Sequence, residues 1–226
     1  IESGWPTRMT NRAVRGLELL EANTAISMRD FSEIKHDNAY SRRYRGHAFL
    51  ESIAKLSPEN PDEAEALALI RGWDLHTDKD NRHAALGVCI LLEEWQAERA
   101  GNALPDPRDT LHECMDSVRD VAGQLDPEWG AIQHHGREDR TWPAAGGPDT
   151  LRAMYAEQLN EDDPFFTVVA GDGLYYLIEW TAEGKQTILG THQYGSQMTD
   201  SASPHYLDQA ENFANEVMRS PGFHKD

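Results

Sequence analysis

The residues best able to do chemistry fall into a few short groups. His76, Asp78, Asp80 and His83 offer nitrogen and oxygen donors close together. Zinc hydrolases place two histidines at i and i+4 on one helical face and fix a third ligand elsewhere. His76 and His83 are seven positions apart across an expected loop-to-helix boundary, which does not meet that geometry. Asp78-Lys79-Asp80 opens like a calcium loop, but Arg82 holds the fifth place and the sixth is not glycine. His134 and His135 are adjacent, and neighbouring side chains diverge unless the backbone bends. Ser196 and Ser203 lie near His192 and His205, yet neither serine sits in a Gly-x-Ser-x-Gly elbow. Asp208-Gln209 offers an acid and an amide. At the start of a helix the acid complements the dipole, and the amide can tie that turn to a strand. Gly146-Gly147 hints at a phosphate cradle, but Pro148 lacks an N–H and Asp149 would repel an anion. Structural roles explain each group more simply, so no residue is assigned as catalytic, cofactor-binding or metal-ligating.

The elements that must position these groups change along the chain. Met9, Ala13, Leu17 and Leu20 recur at helical spacing, with Arg12, Arg15 and Glu18 on other faces. Ser27 to Asp30 reads as a capping box opening a short helix with Phe31 and Ile34. Phe49, Ile53 and Leu56 form a third stripe. Asn60-Pro61-Asp62-Glu63 is the strongest start signal: a capping side chain, proline at the first helical position, then two acids. That helix runs to Trp73. The apolar run Ala84 to Leu92 predicts a central helix and is about half the length of a membrane span. Leu111, Cys114, Met115, Val118, Val121 and Leu125 make one more amphipathic stripe. Residues 1–126 therefore read as a helical region.

Residues 127–164 read as a Gly/Pro/His/Trp-rich irregular connection with a short helix from Asp149 to about Gln158. Residues 165–226 then carry three strand candidates: Phe165 to Ala170, Leu174 to Trp180 and Gln186 to Gln193. Ser203-Pro204 is expected to cap a final helix with Ala210, Phe213, Ala214 and Val217 on one side. Along the middle strand Leu174, Tyr176, Ile178 and Trp180 alternate with Tyr175, Leu177 and Glu179. Apolar residues on both faces imply a sheet covered on both sides. Three strands are too few to fill a sandwich, so further strands are expected from elsewhere, with another polypeptide as one source. The expected class is α+β, helix-rich with a C-terminal antiparallel three-strand segment.

Composition narrows function further. The 226 residues hold 21 Lys plus Arg and 39 Asp plus Glu, a formal charge of −18. Nucleic-acid binding needs clustered cations, and anionic lipid would repel such a surface. No nucleic-acid partner and no membrane insertion are expected. Two cysteines, Cys89 and Cys114, rule out a disulfide-rich scaffold and a four-cysteine zinc site. Buried packing is the simple reading, and one bridge is open to them in an oxidising compartment. The chain begins at Ile1, which suggests a processed or trimmed product.

Ser203-Pro204-His205-Tyr206-Leu207-Asp208-Gln209, after His192-Gln193-Tyr194-Gly195-Ser196, resembles the C-terminal signature of the penicillin acylase family of N-terminal-nucleophile hydrolases. Asn11-Arg12-Ala13 with Leu17 to Leu20, Trp73-Asp74-Leu75 with Asp80-Asn81, and Gly146-Gly147-Pro148-Asp149 with Leu151-Arg152 resemble the branch of aculeacin A and acyl-homoserine lactone acylases. In order and spacing the resemblance spans nearly the whole chain, as the C-terminal part of the family's large subunit. It implies a four-layer αββα sandwich and hydrolysis of an amide joining an acyl chain to an amine, with no cofactor. It also implies a serine nucleophile at the start of the large subunit, its own α-amino group as base, and an asparagine with backbone N–H at the oxyanion. These map upstream: residue 1 is isoleucine, and no residue here matches a family catalytic motif. Upstream acylase polypeptides are then the implied partners, an acyl-amide the substrate, the periplasm or exterior the location, and the isolated chain is expected to be inactive. The alternatives are a metal-dependent hydrolase using His76 and His83, or a non-catalytic helical module binding through the Trp129 to Pro148 segment.

Overall fold

A computed structural model describes residues 9–160 and 162–220; Ile1 and residues 221–226 of the expected C-terminal region lie outside them. The class is α+β. Six of its helices come first: α1 (Asn11–Glu21), α2 (Met28–Lys35), α3 (Gly46–Ala54), α4 (Pro61–Gly72), α5 (Ala84–Ala100) and α6 (Pro107–Ala122). Their ends follow local chemistry. Asn60 caps α4 through Glu63 N–H, and Asp106 caps α6 through the N–H groups of Arg108 and Asp109. The predicted capping box of α2 is present, with Ser27 and Asp30 exchanging hydrogen bonds. Gly101 and Gly123 stop α5 and α6 at φ +72° and +70°, where a side chain would be strained.

Helices α3 to α6 enclose the main core. Ile53, Leu67, Leu86, Ile90 and Leu111 are buried there with Trp73 and Trp129. The first half of α5 is buried all round, as its composition predicted. Cys89 on α5 and Cys114 on α6 form a disulfide, Cα atoms 5.8 Å apart, resolving the open alternative.

The 127–164 stretch departs from expectation. In place of an irregular connection and an Asp149–Gln158 helix it holds α7 (Trp129–Ile132), β1 (Gln133–Arg137), β2 (Arg140–Pro143) and β3 (Met154–Glu157). These strands are only four or five residues long, and β1 is mostly His, Gly and Arg. Apolar alternation is too brief there to register. Tertiary packing decides instead: His134 stacks on Phe165, while His135 lies against Tyr194 and Phe213.

The later strands form as predicted: β4 (Phe166–Gly171), β5 (Tyr175–Trp180) and β6 (Gln186–Thr191). They do not share one sheet. The larger sheet has order β2-β1-β4-β3, with β4 parallel to β1 and antiparallel to β3. Strands β5 and β6 make a separate antiparallel hairpin, from Tyr175↔Thr191 to Trp180↔Gln186. The break falls at Gly171-Asp172-Gly173. Gly171 has φ +127°, and the Asp172 N–H donates to Ala153 O, one step past the Met154↔Gly171 pair, before the chain leaves β3 for the hairpin. The last helix is also shorter than predicted: α8 spans only Ala210–Ala214, since Ser203 to Gln209 fold as turns. Val217 lies beyond it, exposed.

One predicted burial pattern is overturned, and the strand face expected to be covered from elsewhere is bare in this chain. On β5, Leu177 is buried but Tyr176, Ile178 and Trp180, with Leu174 just before the strand, are 44–61% exposed, so one face of the hairpin is open. On α1 the apolar stripe points outward: Met9, Leu17 and Leu20 are exposed. The helix docks instead through Asn11, Arg15 and Glu18, which share a face at i, i+4 and i+7. Asn11 accepts from Ser41 N–H, Arg15 clasps Asp37, and Ser41 donates to Glu18. A polar docking face outcompetes the apolar stripe because Asn11, Arg15 and Glu18 each find hydrogen-bond partners across it.

Candidate functional site

Two polar assemblies stand out. The first is a junction around residues 146–153, to which the Asn11-Arg12 segment is tied. The N–H of Asn11 donates to Asp149 Oδ2 at 2.7 Å, and Asn11 Nδ2 donates to the carbonyls of Ala39 and Asp149. Tyr40 donates its hydroxyl to Pro148 O at 2.7 Å. Gly146 is required here: at φ +98°, a Cβ would lie 2.3 Å from Arg152 O. Asp149 takes φ +58°, a conformation that aspartate tolerates better than most residues.

Arg152 is fully buried at the centre of this junction. It pairs with Asp172 at 3.3 Å and Glu216 at 3.5 Å, donates to Phe213 O, and lies over the Phe213 ring. Lys35 reaches the same Asp172 carboxylate, and its ammonium sits 4.7 Å above the Tyr175 ring. The Tyr175 hydroxyl meets His36 Nε2 at 2.7 Å. Burial, with Arg152 and Lys35 nearby, lowers the His36 pKa to about 4, so the ring is neutral at pH 7. Burial raises the Glu216 and Asp149 carboxyls above their ordinary values, opposed by Arg152 and by the Asn11 N–H respectively. Lys35, Asp172 and Glu216 were not singled out from sequence. Their only signal was an acid between two glycines and isolated charges beside apolar runs.

The second assembly is a cleft of about 390 Å³ beside the open face of the β5–β6 hairpin. It brings together His192, Ser196 and Gln209 with Tyr176 and Arg219. Thr191 also lines it, with a buried hydroxyl that has no partner. His192 Nδ1 accepts from the Tyr194 N–H at 3.1 Å. Outside the cleft, His205 and Asp208 pair at 3.2 Å on the surface, and Ser203 Oγ accepts only the backbone N–H of His205. Among the described residues, no hydrogen bond links the Ser196 or Ser203 hydroxyl to an imidazole. Gln209 ties its turn to Tyr194 O through its backbone N–H, not its side chain. Asp208 precedes α8 rather than lying within it.

The other candidates separate. His134 and His135 point to opposite sides of β1, toward Thr141 and toward Gln193 O. Burial lowers the His135 pKa to about 4. His76 Nδ1 faces Asn38 Oδ1, Asp78 accepts from Asn38, and the Asn81 side chain caps the His83 N–H. Among the described residues, no three His, Cys, Asp or Glu side chains gather as a metal site would require. No helix among them is long and apolar enough to cross a membrane.

What remains is an α+β chain with a polar junction holding its distant segments and a mixed-polarity cleft at an open hairpin face. A family model described as penicillin amidase matches residues 1–226. The chain belongs to the penicillin amidase family, whose members are hydrolases acting on amides. No curated protein is similar enough to the chain to count as a match.

Proposed function

We propose that this chain is the C-terminal part of the large subunit of an acylase, completing a four-layer αββα sandwich around a serine nucleophile carried by an upstream companion. The reaction is hydrolysis of the amide between an acyl chain and an amine, such as a lactam nucleus, a lipopeptide or an acyl-homoserine lactone. The observation that carries this reading is the open face of β5. Four large apolar side chains on one two-stranded hairpin are exposed in a chain that buries a full helical core elsewhere. Exposed apolar surface of that kind marks an interface. The outward stripe of α1 supports the same reading. In this arrangement the cleft with Ser196, Gln209 and Arg219 borders the companion, and the buried junction at Arg152 holds the hairpin in place. The Cys89–Cys114 bridge favours an oxidising compartment, in keeping with a periplasmic or secreted enzyme.

The test is reconstitution. The chain alone, and the chain co-expressed with its upstream polypeptides, are assayed on acyl-aminocoumarins of graded acyl length. The expected outcome is no release of amine by the chain alone and turnover by the assembly. Turnover by the purified 226-residue chain rejects the reading.

A further inference from the structure

The parallel strands β1 and β4 part early. Their ladder has only the steps Gln133↔Phe166 and His134↔Thr167. Beyond these, β4 stays paired with β3 as far as Met154↔Gly171, and β1 stays paired with β2 as far as Arg137↔Arg140. Each strand is therefore held on its outer side while the two diverge toward their carboxyl ends. A cleft of about 310 Å³ lies there, lined by Arg137 from β1, by residues 168–172 along β4, and by Tyr194 and Met198 from the segment after β6. Among the described residues, no backbone hydrogen bond from another segment covers β4 on this flank. An open strand edge presents the N–H and C=O groups of alternate residues, which an extended peptide can pair with. In open sheets, ligands commonly lie at the carboxyl ends of parallel strands.

The charge in this cleft comes from Arg137. His135 also lines it, but its Nε2–H donates to Gln193 O, and burial lowers its pKa to about 4, so the ring is neutral at pH 7. The Arg137 guanidinium lies 3.8 Å from the centroid of the Tyr194 ring. It is half-buried, and among the described residues it has no hydrogen-bond or ion-pair partner. A ring beneath a guanidinium holds it flat and leaves its N–H edge free for a planar acceptor such as a carboxylate. Asp172, the acid in the lining, is already met by Lys35 and Arg152. An unmet cation beside an open strand edge suits a ligand that joins an amide backbone to a carboxylate.

We propose that the cleft between β1 and β4 binds a short peptide by its free carboxyl end, the peptide backbone adding to the edge of β4 and its terminal carboxylate pairing with Arg137. The inference does not rest on the acylase reading, since its readout is binding and turnover can succeed or fail without it. Acetyl-valyl-alanine, whose small apolar side chains suit Val168 and Met198, is titrated calorimetrically into the full assembly containing this chain. Its C-terminal amide and hexanoate, a carboxylate with no amide, are titrated beside it. The free acid is expected to bind with a Kd below about 1 mM, the amide about tenfold more weakly and hexanoate about fivefold more weakly. Arg137→Gln is expected to weaken the acid about tenfold. Arg140, exposed, equally unpaired and outside the cleft, is the control: Arg140→Gln is expected to change affinity less than about twofold. Should Arg137→Gln fail to fold, the acid and amide compared on the unaltered protein decide. A crystal soaked with the acid is expected to show it along β4. Equal affinity for acid and amide, or for acid and hexanoate, overturns the proposal. So do the absence of binding by the acid, an equal loss in Arg140→Gln and Arg137→Gln, or the peptide found elsewhere in the crystal.

Discussion

The block of α3 to α6 and the hairpin of β5 and β6 solve burial in opposite ways. In the block, four helices close on one another, and Ile53, Ala66, Leu67, Ile90 and Leu111 are wholly removed from solvent. In the hairpin, Leu177 packs inward while its neighbours on the other face stay bare. The block is held by apolar contact over a wide core, one disulfide, and the buried carboxylates of Glu63 and Glu94 paired with Arg108 and Arg45. The hairpin is held mainly from behind, by Tyr175, His36, Lys35 and the Asp172–Arg152 pair. One part therefore carries its own stability, and the other depends on a polar clasp and on whatever covers its outer side.

That contrast can be broken, starting with the largest effect. Arg152→Met leaves Glu216 without its buried cation and Asp172 with Lys35 alone. A loss of about 3–5 kcal/mol is expected in urea unfolding, with the hairpin loosening first in hydrogen exchange. In the block, Leu67→Ala is expected to cost about 3 kcal/mol by leaving a cavity. Replacing both Cys89 and Cys114 with serine opens a loop of sequence separation 25 and costs about 3 kcal/mol. Both are read by the same unfolding titration. By contrast, Ile178→Ser on the bare face is expected to alter the chain's own stability by less than about 0.5 kcal/mol. The same variant should weaken co-purification with the upstream polypeptide. A cost for Ile178→Ser equal to that of Leu67→Ala would abolish the distinction.

Acid sharpens it more gently. His36 and His135 are held neutral when folded, at about 4, against an ordinary value of 6.5. The unfolded chain therefore binds more protons between those values, and stability present above pH 6.5 is lost as pH falls toward 4. Glu216 and Asp149, with raised values, act with the opposite sign in the acidic range. A lower melting temperature at pH 5 than at pH 7 is expected, with a shallower slope in His135→Phe. An unchanged slope in that variant would remove His135 from the account.

Much of the block was readable in sequence because its signals are local. Asn60-Pro61 starts α4, Ser27 and Asp30 cap α2, and a nine-residue apolar run from Ala84 to Leu92 can only be central. Strands β4 to β6 were readable from alternation, and their partners were not. Pairing depends on Gly171 turning away and on Asp172 being captured by two cations far off in sequence. Strands β1 to β3 carried almost no period, and the rings of His134 and His135 are placed by Phe165, Tyr194 and Phe213, more than twenty residues away. The orientation of α1 was misjudged for a related reason. Its apolar stripe was visible, but the acceptors for Asn11 and Arg15 come from Ser41, Asp37 and Asp149. At the candidate cleft, sequence proximity suggested His192, Ser196 and Gln209. The junction residues Lys35, Asp172 and Glu216 gave no comparable signal, because their meaning lies wholly in the partners that the fold supplies.

The contact between Asn11 and Asp149 spans 138 positions, and that between Arg152 and Phe213 spans 61. A single short turn thus serves as the knot in which α1 and α8 are both tied. A change in α1 or in α8 would be felt at the other, so these two helices must be inherited, and engineered, as a pair.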